Sequence, residues 1–437
     1  MNVWVAATTQ EIKHTSDTPE ITKKDAERLK IDMQILAGQA GGICYSSQDY
    51  FTSSKSGYEK SYDRYLKSSE IGHHSIAEHP HITLVFEKIP KFTAMILNSM
   101  GIYATSEKSG RYTVMTDDLS ILNNRLYQKW QDILYELICE YYPQTKPNPE
   151  TKQNQAKKLA MEQARDFISV FAPYTTMEYT VSFRQFCYIV DMCDRTMQLY
   201  KIYKMFGYHP DHHMTPLNKN IYDCLYELRK NLIATGLYDE NLKDIYCRGI
   251  EFIPEYNDGP YTIFDANETI GDTYLVKYRA PLSVLAQLQR HRTIKYAMRF
   301  LGSEYDFHVP PLLFKVDKEK GTDYVKQWLE DMESVSETTP IGTNVDIVET
   351  GTIDAFMMQC DERLCSRVMW ATMNTVKSQL LRFADYAKNH DTHVSPYFYQ
   401  QLCKHYDFDN DRIIPKCGHK TCKEVGPLCG CKLDRLV

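Results

Sequence analysis

Three histidines and a glutamate fall within eight residues, Gly72-His73-His74-Ser75-Ile76-Ala77-Glu78-His79. Imidazoles and carboxylates are metal ligands, and His74 and Glu78, four residues apart, would share one face of a helix. The order is not the His-Glu-x-x-His of zinc hydrolases. A second reading therefore stands beside the first: the imidazoles serve local backbone groups and Ser75 caps a helix. Ser106-Glu107-Lys108-Ser109-Gly110-Arg111-Tyr112 offers different chemistry. Its glycine lets backbone approach an anion, its serine donates, and its arginine can grip a phosphate with a fork of N–H groups. The same composition also suits an ordinary loop. Arg290-His291-Arg292 closes an amphipathic segment. Cations there suit a helix C-terminus, but Gln287 and Arg279 beside them favour an anionic ligand. The last such stretch is the tail, with Cys417-x-His419-x-x-Cys422, then Cys429-x-Cys431, and Cys403 and His405 upstream. Structural zinc takes four tetrahedral Cys/His ligands, usually in close pairs. The spacing is irregular, so a flexible reduced tail and a redox role stay open.

The elements that must carry these residues read as mixed helix and strand. The first 70 residues read as helical, with Ile, Leu and Met near 3.6 spacing over 21–39 and Gly41-Gly42 as a stop. A Ser-rich loop (46–56) leads to a polar helix near 57–69. Residues 81–87, HITLVFE, form a short β-rich run, and a helix after Pro90 extends through Leu97. Residues 123–142 and 155–172 read as helices, 180–206 as a Cys- and Tyr-rich segment, and Pro216 opens another helix. Glu255 to Gly259 reads as a linker.

Residues 82–101 and 273–292 resemble each other. An offset of 275 − 84 = 191 sets Leu84 on Leu275, Val85 on Val276, Pro90 on Pro281 and Leu97 on Leu288. Each is a strand, a break at proline and an amphipathic helix, which points to a duplicated unit.

Composition bounds the functions. The 437 residues carry 51 Lys+Arg against 57 Asp+Glu, a net charge of −6, so no global basic field draws nucleic acid. No apolar run approaches the roughly 18 residues of a membrane span. The N-terminus has no basic leader followed by an apolar run, so 13 cysteines suggest a reducing cytoplasm and not a disulfide framework.

The order Gly-His-His-Ser-Ile-Ala-Glu-His, strand, then Ser-Glu-Lys-Ser-Gly-Arg-Tyr resembles the flavin-dependent thymidylate synthase family. The resemblance reaches back to MNVWVAATT and GGICYSS, and forward to Ala164-Arg165, Pro173 and TVSFRQF at 180–186. In the second half it covers RAPLSVLAQLQRHR and DERLCSRVMW (361–370). The halves depart from the pattern in complementary ways. Ser99-Met100-Gly101 replaces Arg-His-Arg in the first, and the second keeps Arg-His-Arg but lacks the histidine and Ser-Gly-Arg-Tyr motifs.

The resemblance implies an α/β (α+β) fold of two tandem domains, residues 1–240 and 241–402, with a Cys/His-rich tail at 403–437. It implies reductive methylation of deoxyuridine monophosphate (dUMP) with methylenetetrahydrofolate, FAD and NADPH, at a composite site between the domains. His73, Ser75, Arg184, Arg290, His291 and Arg292 would bind the flavin. Glu107, Ser109, Gly110, Arg111, Arg165, Gln287, Arg290 and Arg363 would bind the nucleotide, with Arg165, Arg290 and Arg363 serving catalysis. Zinc would sit on Cys417, His419, Cys422, Cys429 and Cys431. A homodimer would reproduce the family's four-domain assembly, with no nucleic acid or membrane partner. Ser182 and Tyr188 depart from the family's asparagine and polar residue. That leaves room for another pyrimidine nucleotide, a transferred hydroxymethyl group, or a non-catalytic nucleotide-binding paralogue.

Overall fold

The computed structural model describes residues 1–8, 21–45, 57–108, 120–147, 154–205, 216–243, 262–265, 272–300, 306–389, 395–419, 422, 426, 428–430 and 433–437. The first half runs β1 (Asn2–Thr8), α1 (Lys23–Tyr45), α2 (Tyr58–Glu70), β2 (His81–Ile89), α3 (Lys91–Asn98), β3 (Ala104–Glu107), α4 (Ile121–Tyr141), α5 (Gln155–Ala164), β4 (Thr175–Ser182), α6 (Phe183–Met205) and α7 (Pro216–Ala234). The second runs β5 (Thr262–Asp265), β6 (Thr273–Pro281), α8 (Leu282–Leu288), β7 (Lys295–Phe300), α9 (Pro311–Lys320), α10 (Tyr324–Ser334), β8 (Asn344–Thr352), α11 (Ile353–Arg363), α12 (Trp370–Asn389) and α13 (Pro396–Leu402). A hairpin of β9 (Tyr406–Asp407) and β10 (Arg412–Ile413) follows.

These elements form two compact units. One comprises Met1–Lys108 and Phe171–Glu251; the other comprises Ser109–Val170 and Phe252–Val437. The helical pair α4–α5 therefore belongs to the second unit, although its sequence lies in the first half.

Each unit holds a four-stranded antiparallel sheet, ordered β1-β2-β4-β3 in the first and β5-β6-β8-β7 in the second. The element order also recurs: strand, helix, strand, two helices, strand, helix. Pro90 and Pro281 both occupy the position before a helix, with φ of −56° and −69°. The single sequence offset fails inside the strand, however. Inward-facing Ile82, Leu84 and Phe86 answer to Tyr274, Val276 and Tyr278, one residue further on than the offset places them. The cause is a bulge in β2. Phe86 pairs with Met177 and Ile89 with Thr175, so Glu87 and Lys88 oppose one residue, and Lys88 takes φ 51°. The register of β6 on β8 is unbroken from Thr273 to Pro281. A bulge shifts every residue on one side of it to the other face unless the alignment moves by one.

Three sequence readings need correction. Asn2–Thr8 is a strand paired with β2, not helix. Helix α1 does not stop at Gly41-Gly42 but runs through to Tyr45. Those glycines, with Gly38, mark close approach to the elements packed on α1. A Cβ on Gly38 would run into the Ser61 carbonyl, and one on Gly42 into the Arg64 guanidinium. Arg64 Nη1 donates to the Gly38 carbonyl at 2.8 Å. Residues 155–172 are helical only as far as Ala164, followed by a short 3-10 turn at Arg165–Phe167. Glu255 to Gly259 and 46–56 lie outside the described residues.

In the first unit Tyr179 anchors the core. Its ring lies 5.2 Å from Tyr103 and 6.2 Å from Phe86, and its hydroxyl donates to the Leu97 carbonyl at 2.8 Å. In the second, Trp328 packs edge-on against Trp130 and Phe167 at 4.9 and 4.6 Å, which ties α4–α5 to α10. Helix α4 reaches that core through Leu126, Trp130, Leu134, Leu137 and Ile138, a 3.6-residue repeat. Its first turn is capped by Ser120, which accepts from the Asn123 N–H at 3.2 Å.

Candidate active site

In the first unit, β2 and β4 pair so that His81 stands opposite Ser182. The turn that precedes β2 is thereby laid beside the end of β4 and the start of α6. That turn, His74–Glu78, is 3-10 and not α-helical. Its cap position is His73 and not Ser75, with no side-chain cap bond. Glu78 accepts from Ser182 Oγ at 2.6 Å and from Arg184 Nη1 at 3.1 Å. His74 bridges the Tyr188 hydroxyl (2.9 Å) and the Ser69 carbonyl (3.2 Å). Arg184 also lies over the Tyr188 ring, 4.9 Å from its centre. The motif thus folds onto Ser182, Arg184 and Tyr188, and the metal group found among the described residues does not include it. His73 and Ser75 are exposed beside it. Arg184 Nε is shut off from water without a hydrogen-bond partner. A half-exposed guanidinium with exposed histidine and serine neighbours suits an anion such as a dinucleotide pyrophosphate.

Glu107, also in the first unit, turns inward. Its side chain is 2% exposed, paired with Lys91 Nζ at 2.5 Å and accepting from Thr175 Oγ1 at 3.0 Å. Ser109, Gly110 and Arg111 lie outside the described residues.

In the second unit a different set comes together. Helix α8 ends at Leu288, so Arg290-His291-Arg292 forms a turn beyond the helix. Arg290 and Arg292 are exposed there and His291 is buried. Arg363, the last residue of α11, donates from Nη2 to the Gln287 carbonyl at 3.2 Å. The Gln287 side chain takes the Thr372 hydroxyl at 3.3 Å and reaches Met369 Sδ at 3.4 Å. Arg165, on the 3-10 turn after α5, reaches the same sulfur at 3.3 Å. The turn is fixed by its neighbour Asp166, which takes His308 Nδ1 at 2.8 Å and whose carbonyl accepts from Gly342 N–H at 3.0 Å.

Arg165, Gln287 and Arg363 are therefore neighbours, drawn from both halves of the sequence. Arg165 meets only a thioether in these contacts, and its Nε has no hydrogen-bond partner. A thioether is a weak acceptor, so this guanidinium is poised for an anion. His291 stands 3.7 Å from Glu362, too far for a hydrogen bond. Burial first, and the Arg363 charge second, push its pKa down to about 3. It is a neutral imidazole at neutral pH, a hydrogen-bonding group and not a cation.

The sequence reading missed the residues that organise these groups. Glu78 lies in the histidine motif and Met369 in DERLCSRVMW, but their contacts, like those of Thr372, depend on long-range packing that no motif shows. It also missed a cleft of about 570 Å³ in the second unit, lined by Lys277, Arg279, Arg299, Asp346 and Arg382 among others. Asp346 takes Arg279 Nε and Arg299 Nη2 at 3.2 Å each, with Lys277 Nζ at 3.8 Å. Lys277 and Arg279 sit two apart on β6, so a shared face was legible in TYLVKYR.

The family model described as thymidylate synthase complementing protein matches residues 30–199. Residues 30–199 are similar to that family. The thymidylate synthase complementing segment covers less than half of the 437 residues. It includes His73, Ser75, Glu107, Arg165 and Arg184 and stops short of Gln287, His291 and Arg363. No curated protein matches the chain. No helix among the described residues is long and apolar enough to cross a membrane.

Proposed function

We propose that the protein is a flavin-dependent methyltransferase of the thymidylate synthase type. It would methylate dUMP reductively with methylenetetrahydrofolate and NADPH. The observation that carries this reading is the convergence of Arg165 with Gln287 and Arg363 in one compact unit. Two arginines, one of them under-bonded, and an amide suit a nucleotide phosphate and a uracil edge. The matched family pattern of the first half supports the same reading.

In this proposal Arg165, Gln287 and Arg363 hold the nucleotide, with Arg290 and the Ser109, Gly110 and Arg111 stretch completing the set. Glu107, locked in its buried pair, supports the fold around β3. In the first unit His73, Ser75 and Arg184 hold the flavin; in the second, Arg292 and neutral His291 offer hydrogen bonds. A bound FAD would supply hydride transfer, which amino-acid side chains cannot. The chain's own part is to fix the nucleotide and to meet charge developing on the pyrimidine oxygens with arginine N–H groups. The repeated strand order and matching helix-start prolines support an origin by duplication. By that origin two chains would associate as a homodimer, which the mass in solution tests.

One observation favours an altered outcome. Ser182 and Tyr188 stand where the resemblance has asparagine and a polar residue, and both are committed to internal bonds with Glu78 and His74. Product analysis with dUMP and dCMP distinguishes methyl from hydroxymethyl transfer and uracil from cytosine. Formation of dTMP from dUMP, abolished by Arg165→Ala and by Arg184→Ala, supports the proposal. Turnover indifferent to both substitutions would refute it.

A further inference from the structure

We propose that Asp361, His405 and His419 form a site for one divalent metal ion. Their ligand atoms all lie within 4.8 Å of one another. The three come from separate elements of the second unit. Asp361 lies on α11, His405 directly precedes β9, and His419 follows the short turn after β10. The backbone holds them in place. Ile414 N–H donates to the His405 carbonyl at 2.7 Å, and Lys416 N–H donates to the Leu364 carbonyl at the end of α11 at 2.9 Å.

Donor–acceptor accounting leads to the ion. His405 is fully buried. Its Nδ1 lies 3.2 Å from the Ile414 carbonyl, which can only accept, so Nδ1 carries hydrogen. Its Nε2 lies 3.0 Å from Asp361 Oδ1, and a carboxylate also only accepts. A neutral imidazole has one N–H and cannot donate at both ends. On the facing side, the His419 ring lies 4.8 Å from the His405 ring, and its Nε2 is shut off from water without a hydrogen-bond partner. A cation among these atoms resolves all three positions: His405 Nε2 and His419 Nε2 present lone pairs, and Asp361 supplies charge. An imidazole whose other N–H donates to a backbone carbonyl is the usual orientation of a metal-bound histidine. Asp361 is 61% exposed, so its carboxylate can swing to close metal–ligand distances of about 2 Å.

Two imidazoles and one carboxylate suit zinc or a neighbouring first-row divalent ion, with a further position open to water. This ligand set shares only His419 with the Cys/His set expected from the sequence. Cys417, Cys422 and Cys429 are not part of the group, and Cys431 lies outside the described residues. The ion would fasten the β9–β10 hairpin and the turn after it to α11, so binding would stabilise the folded chain.

The test uses the full chain, stripped with chelator and titrated with Co²⁺ and then Zn²⁺. One Co²⁺ per chain, ligand-field bands without thiolate charge transfer, and displacement by Zn²⁺ are expected. His419→Gln should abolish uptake and Asp361→Asn should weaken it about tenfold or more, with circular dichroism unchanged. Cys417→Ser and Cys422→Ser should bind as the parent does. Thiolate charge transfer that disappears in the cysteine variants would transfer the site to sulfur and overturn the assignment. So would uptake indifferent to His419→Gln and Asp361→Asn, or no uptake at all.

Discussion

Replacing Arg165 by methionine separates a ligand-binding cation from a structural one. Methionine keeps the apolar stem and removes the charge. In the structure that charge has little to hold it: Nη2 lies 3.3 Å from a thioether, and Nε has no hydrogen-bond partner. Removing a poorly solvated, poorly paired cation should leave the thermal midpoint unchanged or raise it. Binding should respond in the opposite sense. A charge-assisted hydrogen bond contributes about 1.5–3 kcal/mol. One such bond lost to the dUMP phosphate therefore weakens affinity about 10- to 150-fold. Calorimetric titration with dUMP and a thermal melt on the same preparation read both quantities. If the melt drops by many degrees while affinity holds, Arg165 is a packing residue and the nucleotide assignment fails.

Further outcomes follow from burial and charge. His291 holds a folded-state pKa of about 3 against 6.5 for the free side chain. Between those values the unfolded chain binds the extra proton, so stability falls as pH drops through this window, by up to about 1.4 kcal/mol per pH unit. Urea unfolding at pH 7 and pH 5 should show this slope, and His291→Gln should flatten it. Gly38→Ala sets a methyl against the Ser61 carbonyl and should cost about 1–3 kcal/mol, read by the urea midpoint. Glu349 is fully buried and accepts from Tyr274, Tyr278 and Gln379 at 2.7, 2.8 and 3.2 Å. Glu349→Ala orphans all three donors, at about 1–3 kcal/mol each, and a stable, well-expressed variant would contradict that accounting.

How much could be read from the chain itself depended on the range of the interaction. The strand–proline–helix units after β2 and β6 were legible, because alternation and proline act locally. The bulge at Lys88 was not: it is a property of the β2–β4 pairing, and it displaced the Leu84–Leu275 match by one residue. Gly41-Gly42 looked like a helix stop because glycine lowers helix propensity. Close packing on the residues around Ser61, Arg64 and Ile76 overrides that preference. Arg165, Gln287 and Arg363 came from family resemblance; the structure brings Arg165 to Gln287 through Met369 and Arg363 onto the Gln287 carbonyl, contacts that no motif shows. The assignment of α4–α5 to the second unit could not be seen, since Trp130 and Trp328 meet across roughly half the chain. The tail's ligands were sought among its own cysteines and His419, whereas the proposed group also draws Asp361 from a helix far upstream.

The most direct measurement is the visible spectrum of the purified protein with added FAD, followed through a titration with dUMP. The account predicts a bound flavin whose bands shift saturably with dUMP, with the shift lost in Arg165→Met and flavin binding weakened in Arg184→Ala. A protein that takes up no flavin, or whose flavin is indifferent to dUMP, would contradict it.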